Sequence, residues 1–401
     1  MERLVALRDL VEIKHGFAFP GKSFSVDSKF PTLLTPGNFS ISEGFRPSRA
    51  KTFQAEYDAH WELPPGSAVV TMTDLSKAGD TLGNWAIVPN DGITYLHNQR
   101  IGHVIVKNGS VDLRFLSYRM RLADYHQFVL ASATGTTVRH TSPNRILEFE
   151  LLIPELSEQR AIAEVLGALD DKIAANSRIA ETSDSLVRSL YSALPPSTTV
   201  LGDLCFNIRE QVRPQGRIPY VGLEHLGRQH MWLQQQGVSD EVTSAKSVFS
   251  ARDVLFGKLR PYFHKVVSAP VEGMCSTDIL VLRARDPDLA GYVLAAASSA
   301  EVVDHSTARS AGTKMPRASW TDLSEAPVRW ADQETAVRLS SNVVSIREAV
   351  EAAIRESAAL TELRDTLLPA LMDGRLRVRD AIEQVEGSLW SMRLADVNDG
   401  R

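Results

Sequence analysis

The chain has 401 residues, 43% apolar and 23% charged, which is enough to bury the cores of two or three domains and too hydrophobic for a disordered chain. Its two cysteines, Cys205 and Cys275, exclude a disulfide framework or a cysteine zinc site within one chain and fit a reducing cytoplasm. The net charge of −5 does not exclude DNA binding: residues 1–155 carry 16 basic and 16 acidic side chains and 201–330 carry 15 and 14, and a balanced segment can still present a basic face.

The N-terminal MERLVALRDLVEIK has no continuous apolar run, so no signal peptide is expected. Two halves then repeat one order of elements. Each opens on Leu-x-Asp-Leu, at 7–10 and 201–204, followed by a proline-led apolar strand, PTLLTPGN from Pro31 and PYVGLEHL from Pro219. Next comes a turn feeding a β-favouring run, GSAVVTM from Gly66 and ARDVLFGKLRPY from Ala251. A third strand region follows, HNQRIGHVIV from His97 and CSTDILVLR from Cys275. Each half closes on a helical stretch and a Gly-Thr turn, at Gly135 and Gly312. Residues 289–303 are apolar but too short and interrupted to span a bilayer.

Each half ends in a long helix with a 4-3 apolar spacing. The first seam runs through Ile162, Leu166, Leu169, Ile173, Asn176, Ala180, Ser183, Val187, Leu190 and Leu194. The second runs through Leu339, Val343, Ile346, Val350, Ala353, Ser357, Leu360, Arg364, Leu367 and Leu371. Five heptads predict coiled-coil pairing, and helices of roughly 50 to 60 Å exceed what one small domain needs for packing. Both are expected to stop at proline, at Pro195-Pro196 and at Pro369. The organisation is therefore read as an α/β (α+β) chain with globular segments 1–155 and 201–330, spacer helices in 156–200 and 331–374, and a tail, 375–401, carrying Arg375, Arg377, Arg379, Leu389 and Trp390.

The stretch IPELSEQRAIAEVLGALDDKI (153–173) resembles the central junction of Type I restriction-modification specificity subunits; VRWADQETAV (328–337) is a weaker copy without the proline. LTELRDTLLPALMDGRLRV from Leu360 is similar to the closing helix of that family, and FGKLRPYFHKV with GMCSTDILVLR to its second target-recognition domain. The resemblance, over residues 1 to 380, implies two target-recognition domains joined by helices in an antiparallel coiled coil, each domain reading one half of a split site in double-stranded DNA. It also implies two modification subunits that supply S-adenosylmethionine, and a restriction subunit for cleavage. This chain itself is expected to hold no cofactor, metal or catalytic centre and to work in the cytoplasm.

The motifs agree with a non-catalytic chain. There is no GxG loop and no P-loop, and the two Pro-Pro pairs, LPPG from Leu63 and LPPS from Leu194, lack the amide or acid and the aromatic that clamp a flipped base. Asp9 with Glu12 and Lys14 reads as an ordinary charged helix face, because metal catalysis needs convergent ligands. The ten histidines make no HExxH.

Base edges are read by bidentate Arg or amide groups, and phosphates by cations and hydroxyls. In the first half the candidates are His97, Asn98, Gln99, Arg100, Thr136, Thr137, Arg139, His140, Ser142, Asn144 and Arg145. In the second they are Lys258, Arg260, Tyr262, His264, Lys265, Ser276, Thr277, Arg309, Lys314 and Arg317. Val165, Ile179 and Leu186, apolar and off the seam, are candidates for receiving a modification subunit. Two alternatives stay open: a scaffold whose modules do not read DNA, and a self-sufficient enzyme, which the missing motifs disfavour.

Overall fold

In the computed structural model, which describes residues 3–399 apart from 41–43, 47–50, 77, 137, 240–243 and 311–314, with side chains to residue 388, both Leu-x-Asp-Leu elements form one helical turn, Leu7–Leu10 and Leu201–Leu204. Their leucines are buried. Each turn leads into a strand at the edge of a four-stranded antiparallel sheet. The chain divides into two units, Met1–Asp171 with Leu360–Arg401, and Lys172–Ala359, so that each contains a stretch of both long helices.

In the first unit the sheet runs Trp85–Ile87, Ala68–Thr71, Ile101–Val106, Val11–His15. The second unit repeats the same connectivity with Val266–Ser268, Val254–Gly257, Ile279–Ala284 and Cys205–Ile208. The inner strands, AVVT and VLFG, are buried along their whole length, which is why they read as continuous apolar runs and not as alternating ones.

A five-stranded sheet accompanies each of these. At its heart the proline-led strand pairs in parallel with the strand that enters the third region: Thr32–Leu33 with Tyr95–Leu96, and Pro219–Val221 with Gly273–Cys275. The fifth strand differs. Phe24–Ser25 adds beside Thr52–Phe53, the neighbour of the proline-led strand, whereas Gln211–Val212 adds beside Lys246–Phe249 at the opposite edge. A two-stranded ribbon closes each half, Arg3–Ala6 with Glu150–Ile153 and Pro196–Val200 with Pro327–Arg329.

The long helices are Leu156–Ser192 and Gln333–Met372. None of the twenty seam positions is exposed. Within the second unit, Lys172 pairs with Glu356 at 2.9 Å, and Asn176 Nδ2 donates to the Ala353 carbonyl at 3.2 Å and to Glu356 at 2.8 Å. Further along, Ala180, Val187 and Tyr191 share one core with Ala336, Leu339, Val343 and Val350. Numbers rise on one helix as they fall on the other, so the pair is antiparallel. In the first unit the fully buried Arg364 donates to Asp170 Oδ1 at 2.6 Å; Asp170 Oδ2 also accepts from Tyr118 Oη at 2.7 Å and lies 3.3 Å from Arg121 Nη2. Two polar seam residues, Asn176 and Arg364, are thus partnered through their nitrogens.

One expected boundary is corrected. Pro369 lies inside the second long helix, which continues to Met372. A proline this close to the end sacrifices few intrahelical bonds, its carbonyl still accepts from Asp373 N at 3.1 Å, and buried Leu367, Leu368 and Leu371 hold the last turn. The tail is helical, Val378–Asp399, with Ala381 buried.

Candidate nucleic-acid interface

At the end of the second strand of each four-stranded sheet, three segments distant in sequence meet by matching backbone bonds. In the first unit Met72 N donates to the Arg100 carbonyl at 2.9 Å, and Thr141 N donates to the Met72 carbonyl at 3.1 Å. In the second unit Lys258 N donates to the Asp278 carbonyl at 2.8 Å, and Ala318 N to the Lys258 carbonyl at 2.9 Å. The middle segment turns identically: Ile101 N donates to Asn98 O at 3.0 Å, and Ile279 N to Ser276 O at 2.9 Å. Short pairings complete both junctions, Thr73 with His140 and Asp74 with Arg139 in one, Leu259 with Arg317 in the other.

The first junction brings Asn98, Gln99, Arg100, Arg139 and His140 together. Gln99, Arg100 and His140 are exposed, and His140 Nδ1 lies 3.2 Å from Thr73 Oγ1. Gly16 permits the turn to close, because a Cβ there would sit 2.3 Å from the Asn98 carbonyl oxygen. Gly135, at φ +91°, makes the Gly-Thr turn that returns the chain, with Thr136 exposed beside it. Ser142 precedes the short helix Pro143–Ile146, on which Asn144 and Arg145 are exposed; the Arg145 guanidinium donates to the Ser132 carbonyl.

Asp74 supports this junction from beneath. Burial alone would raise its carboxyl, but the amides of Ser76 and Thr81, both at 2.6 Å, outweigh that and hold it below its ordinary range. Phe39, Ser40, Arg46, Asp80 and Thr81 line an open cleft of about 390 Å³ against it.

His97 is not part of the exposed set. It is 4% exposed, its Nε2 lies 2.9 Å from the Ile101 carbonyl, and burial, with His103 and His15 near it, pushes its pKa down to about 4. Sequence places it on the turn, but the parallel strand that precedes it carries the ring inward. It is a packing residue.

In the second junction Lys258, Arg260, Thr277 and Arg317 converge. Lys258 Nζ donates to the Thr277 carbonyl at 2.5 Å, Arg260 N to the Pro316 carbonyl at 2.7 Å, and Arg317 Nε lies 3.5 Å from Asp278. Ser276 Oγ accepts from Asp278 N at 3.2 Å and is used by the turn. A 3-10 turn, Pro261–Phe263, lifts Tyr262 into solvent at 51% exposure. Burial lowers the pKa of Lys258, Lys265 and His264. Lys265 donates to the Leu223 carbonyl at 2.5 Å and His264 Nε2 lies 2.8 Å from the Ser298 carbonyl, so both serve the frame. Arg309 pairs with Glu325 at 2.5 Å and joins no junction segment. Thr137 and Lys314 lie outside the described residues.

Two groups escaped sequence reasoning. Phe17, 42% exposed, stacks on Trp61 at 5.3 Å, and its carbonyl accepts from Gln99 N at 2.9 Å. Arg228 lies over Phe263 at 3.8 Å. The only signal for the first was the aromatic spacing in GFAFP; nothing in sequence links Arg228 to a ring 35 positions later.

On the helices, Ile179 and Leu186 are exposed by 44% and 47%, while Val165 is half-buried. Among the described residues no helix is long and apolar enough to cross a membrane, and no group of three His, Cys, Asp or Glu side chains is placed to hold a metal ion.

Comparison with known proteins follows the same lines. Residues 3–182 match the family model described as the Type I restriction modification DNA specificity domain. The Type I restriction enzyme EcoDI specificity subunit of Escherichia coli is 25% identical over 170 residues, 40% of this chain and 38% of that protein, so the match spans well under half of that relative. The crystal structure of a Type I restriction-modification S subunit from M. genitalium shares the fold at a TM-score of 0.55 and 14% identity, covering 93% of this chain and 96% of that one. Residues 3–182 are thus similar to a Type I restriction-modification DNA specificity domain, and the chain resembles, over nearly its full length, the fold of a specificity subunit.

Proposed function

We propose that this chain is the DNA specificity subunit of a Type I restriction-modification complex, with residues 1–155 and 201–330 as target-recognition domains. Each domain reads one half of a bipartite double-stranded target through its three-segment junction. The helices within 156–200 and 331–374 set the spacing between the halves and receive two modification subunits, with Ile179 and Leu186 as contacts. Those subunits bring S-adenosylmethionine and the methyl transfer; a restriction subunit adds translocation and cleavage. The chain supplies recognition alone, in the cytoplasm.

The observation that carries this reading is the duplicated junction. One backbone frame presents Arg100, Arg139 and His140 in one unit and Lys258, Arg260, Tyr262 and Arg317 in the other. A catalytic site has no need of two differently furnished copies, whereas a reader of two unlike half-sites does. Cations with hydroxyls fit phosphates, and Arg, Asn and Gln on a fixed frame fit base edges.

The test is co-expression with modification subunits and mapping of methylated positions across a genome. A split motif is expected, with one half altered on exchanging residues 1–150 and the other on exchanging 201–325 for those of a relative with different specificity. A motif unchanged by either exchange would refute the reading.

A further inference from the structure

In the second unit three non-glycine residues around the exposed Tyr262 adopt the left-handed conformation: Gln229 at φ +61°, Arg260 at +51° and His264 at +52°. Such residues persist only where their surroundings over-determine them, and they gather where a fixed geometry is used. Gln229 and His264 face each other through one backbone bond, Gln229 N to His264 O at 2.8 Å. Arg188, on the long helix, clasps both. Its Nη2 donates to the Gln229 carbonyl at 2.8 Å, and its Nη1 donates to the Ser298 carbonyl at 2.8 Å and lies 3.2 Å from His264 Nε2. His264 Nε2 is itself 2.8 Å from that Ser298 carbonyl. At the other end of the turn, Arg260 is tied to Pro316. Between these anchors Tyr262 stands on the edge of Phe263, ring centroids 4.8 Å apart.

A planar guanidinium suits this task, since its rigid fork holds the separated Gln229 and Ser298 carbonyls in one geometry, whereas a lysine ammonium is a single point on a flexible stem. Both terminal nitrogens of the half-buried guanidinium are engaged by carbonyls, unlike those of a side chain held out for a phosphate. We propose that Arg188 is a positioning residue for base reading by the second domain: by locking Gln229 and His264 it holds the Arg260–His264 turn in one conformation, so that Tyr262 and Arg260 meet the DNA preorganised. This rests on the reading of that turn as part of a DNA-contacting face.

The test uses the full chain assembled with its modification subunits and duplexes carrying its mapped motif. Amide hydrogen exchange at residues 262–264, discrimination against single-base changes in each half-site, and the salt slope of binding are measured for R188A, R188K and Y262A. R188A is expected to speed exchange at Phe263 and His264 about tenfold and to lower discrimination at the second half-site about tenfold. The first half-site and the salt slope stay unchanged, because Arg188 neutralises no phosphate. R188K restores part of both losses, and Y262A loses discrimination without faster exchange. If R188A does not assemble, R188K carries the test by shifting exchange and discrimination in the same direction to a smaller degree.

Exchange unchanged in the Arg188 variants overturns the proposal, as does a loosened turn that leaves discrimination intact while Y262A loses it. Failure of the underlying reading looks different: neither Y262A nor the K258A/R260A pair would then alter DNA binding.

Discussion

The two junctions share a frame and differ in nearly everything mounted on it. Met72, Arg100 and Thr141 in the first unit stand where Lys258, Asp278 and Ala318 stand in the second, joined by the same backbone bonds. Backbone donors and acceptors are indifferent to side-chain identity, so the frame tolerates exchange of every group that points away from it. The supports differ as well. The first junction rests on a buried carboxylate, Asp74, that gathers turn amides; the second on left-handed residues clasped by Arg188. The side chains that a junction presents can therefore diverge between units without cost to the fold, and damage to one support should stay in its own unit.

The largest effect expected is on the first unit's anchor. Replacing Asp170 by Ala leaves the fully buried Arg364 short of its best partner and deprives Tyr118 of its acceptor, and loss of one member of a buried ion pair typically costs about 3–5 kcal/mol. Calorimetry should show an early transition for the first unit with the second unit's transition retained; a uniform shift of both would break the comparison.

Acid comes next. His97 has a pKa of about 4 in the folded chain against an ordinary 6.5, so between those values the unfolded chain takes up a proton that the folded one refuses. Above pH 6.5 both are neutral and no stability is at stake; on lowering the pH to about 4 the first unit loses about 3 kcal/mol through this group. His103, lowered by burial, acts in the same direction. Urea titrations at pH 7.5 and 4.5 check this, and H97L should flatten the pH dependence while lowering stability at pH 7.5.

The cations sharpen the comparison at the level of binding. The pairs R100A/R139A and K258A/R260A should each weaken DNA binding by the assembled complex about tenfold, with discrimination lost only at the half-site read by the altered unit. Equal loss at both half-sites from either pair would mean that the junctions act only as phosphate clamps. The smallest effect on stability is expected from I179S/L186S, within about 0.5 kcal/mol because both side chains are exposed. Size-exclusion chromatography with the modification subunits should nonetheless show weakened assembly if these residues receive a partner.

The repeat, the seams and the inner strands were legible because each is a local pattern. Alternation, heptads and apolar runs record which face of one element is buried, and the seam residues from Ile162 to Leu371 are all buried or half-buried, as their spacing indicates. The site was legible only in part. Arg100, His140, Arg260 and Tyr262 are exposed or half-exposed at the junctions, but His97, two or three positions from exposed Gln99 and Arg100, turned inward. That outcome depends on the parallel pairing of Tyr95–Leu96 with Thr32–Leu33, two strands some sixty residues apart. Lys265 and His264 looked like part of a cationic loop and were absorbed by carbonyls of Leu223 and Ser298.

By itself, then, the sequence determined two α/β halves and two long helices with their buried stripes, since hydrophobic periodicity acts over a few residues and needs no knowledge of partners. Only the tertiary structure decided which loops meet, on which edge the fifth strand adds, and that a helix arginine, Arg188, braces a turn 76 positions away. Those choices are made by backbone hydrogen bonds and carbonyl acceptors, which every residue carries and no side-chain pattern reports.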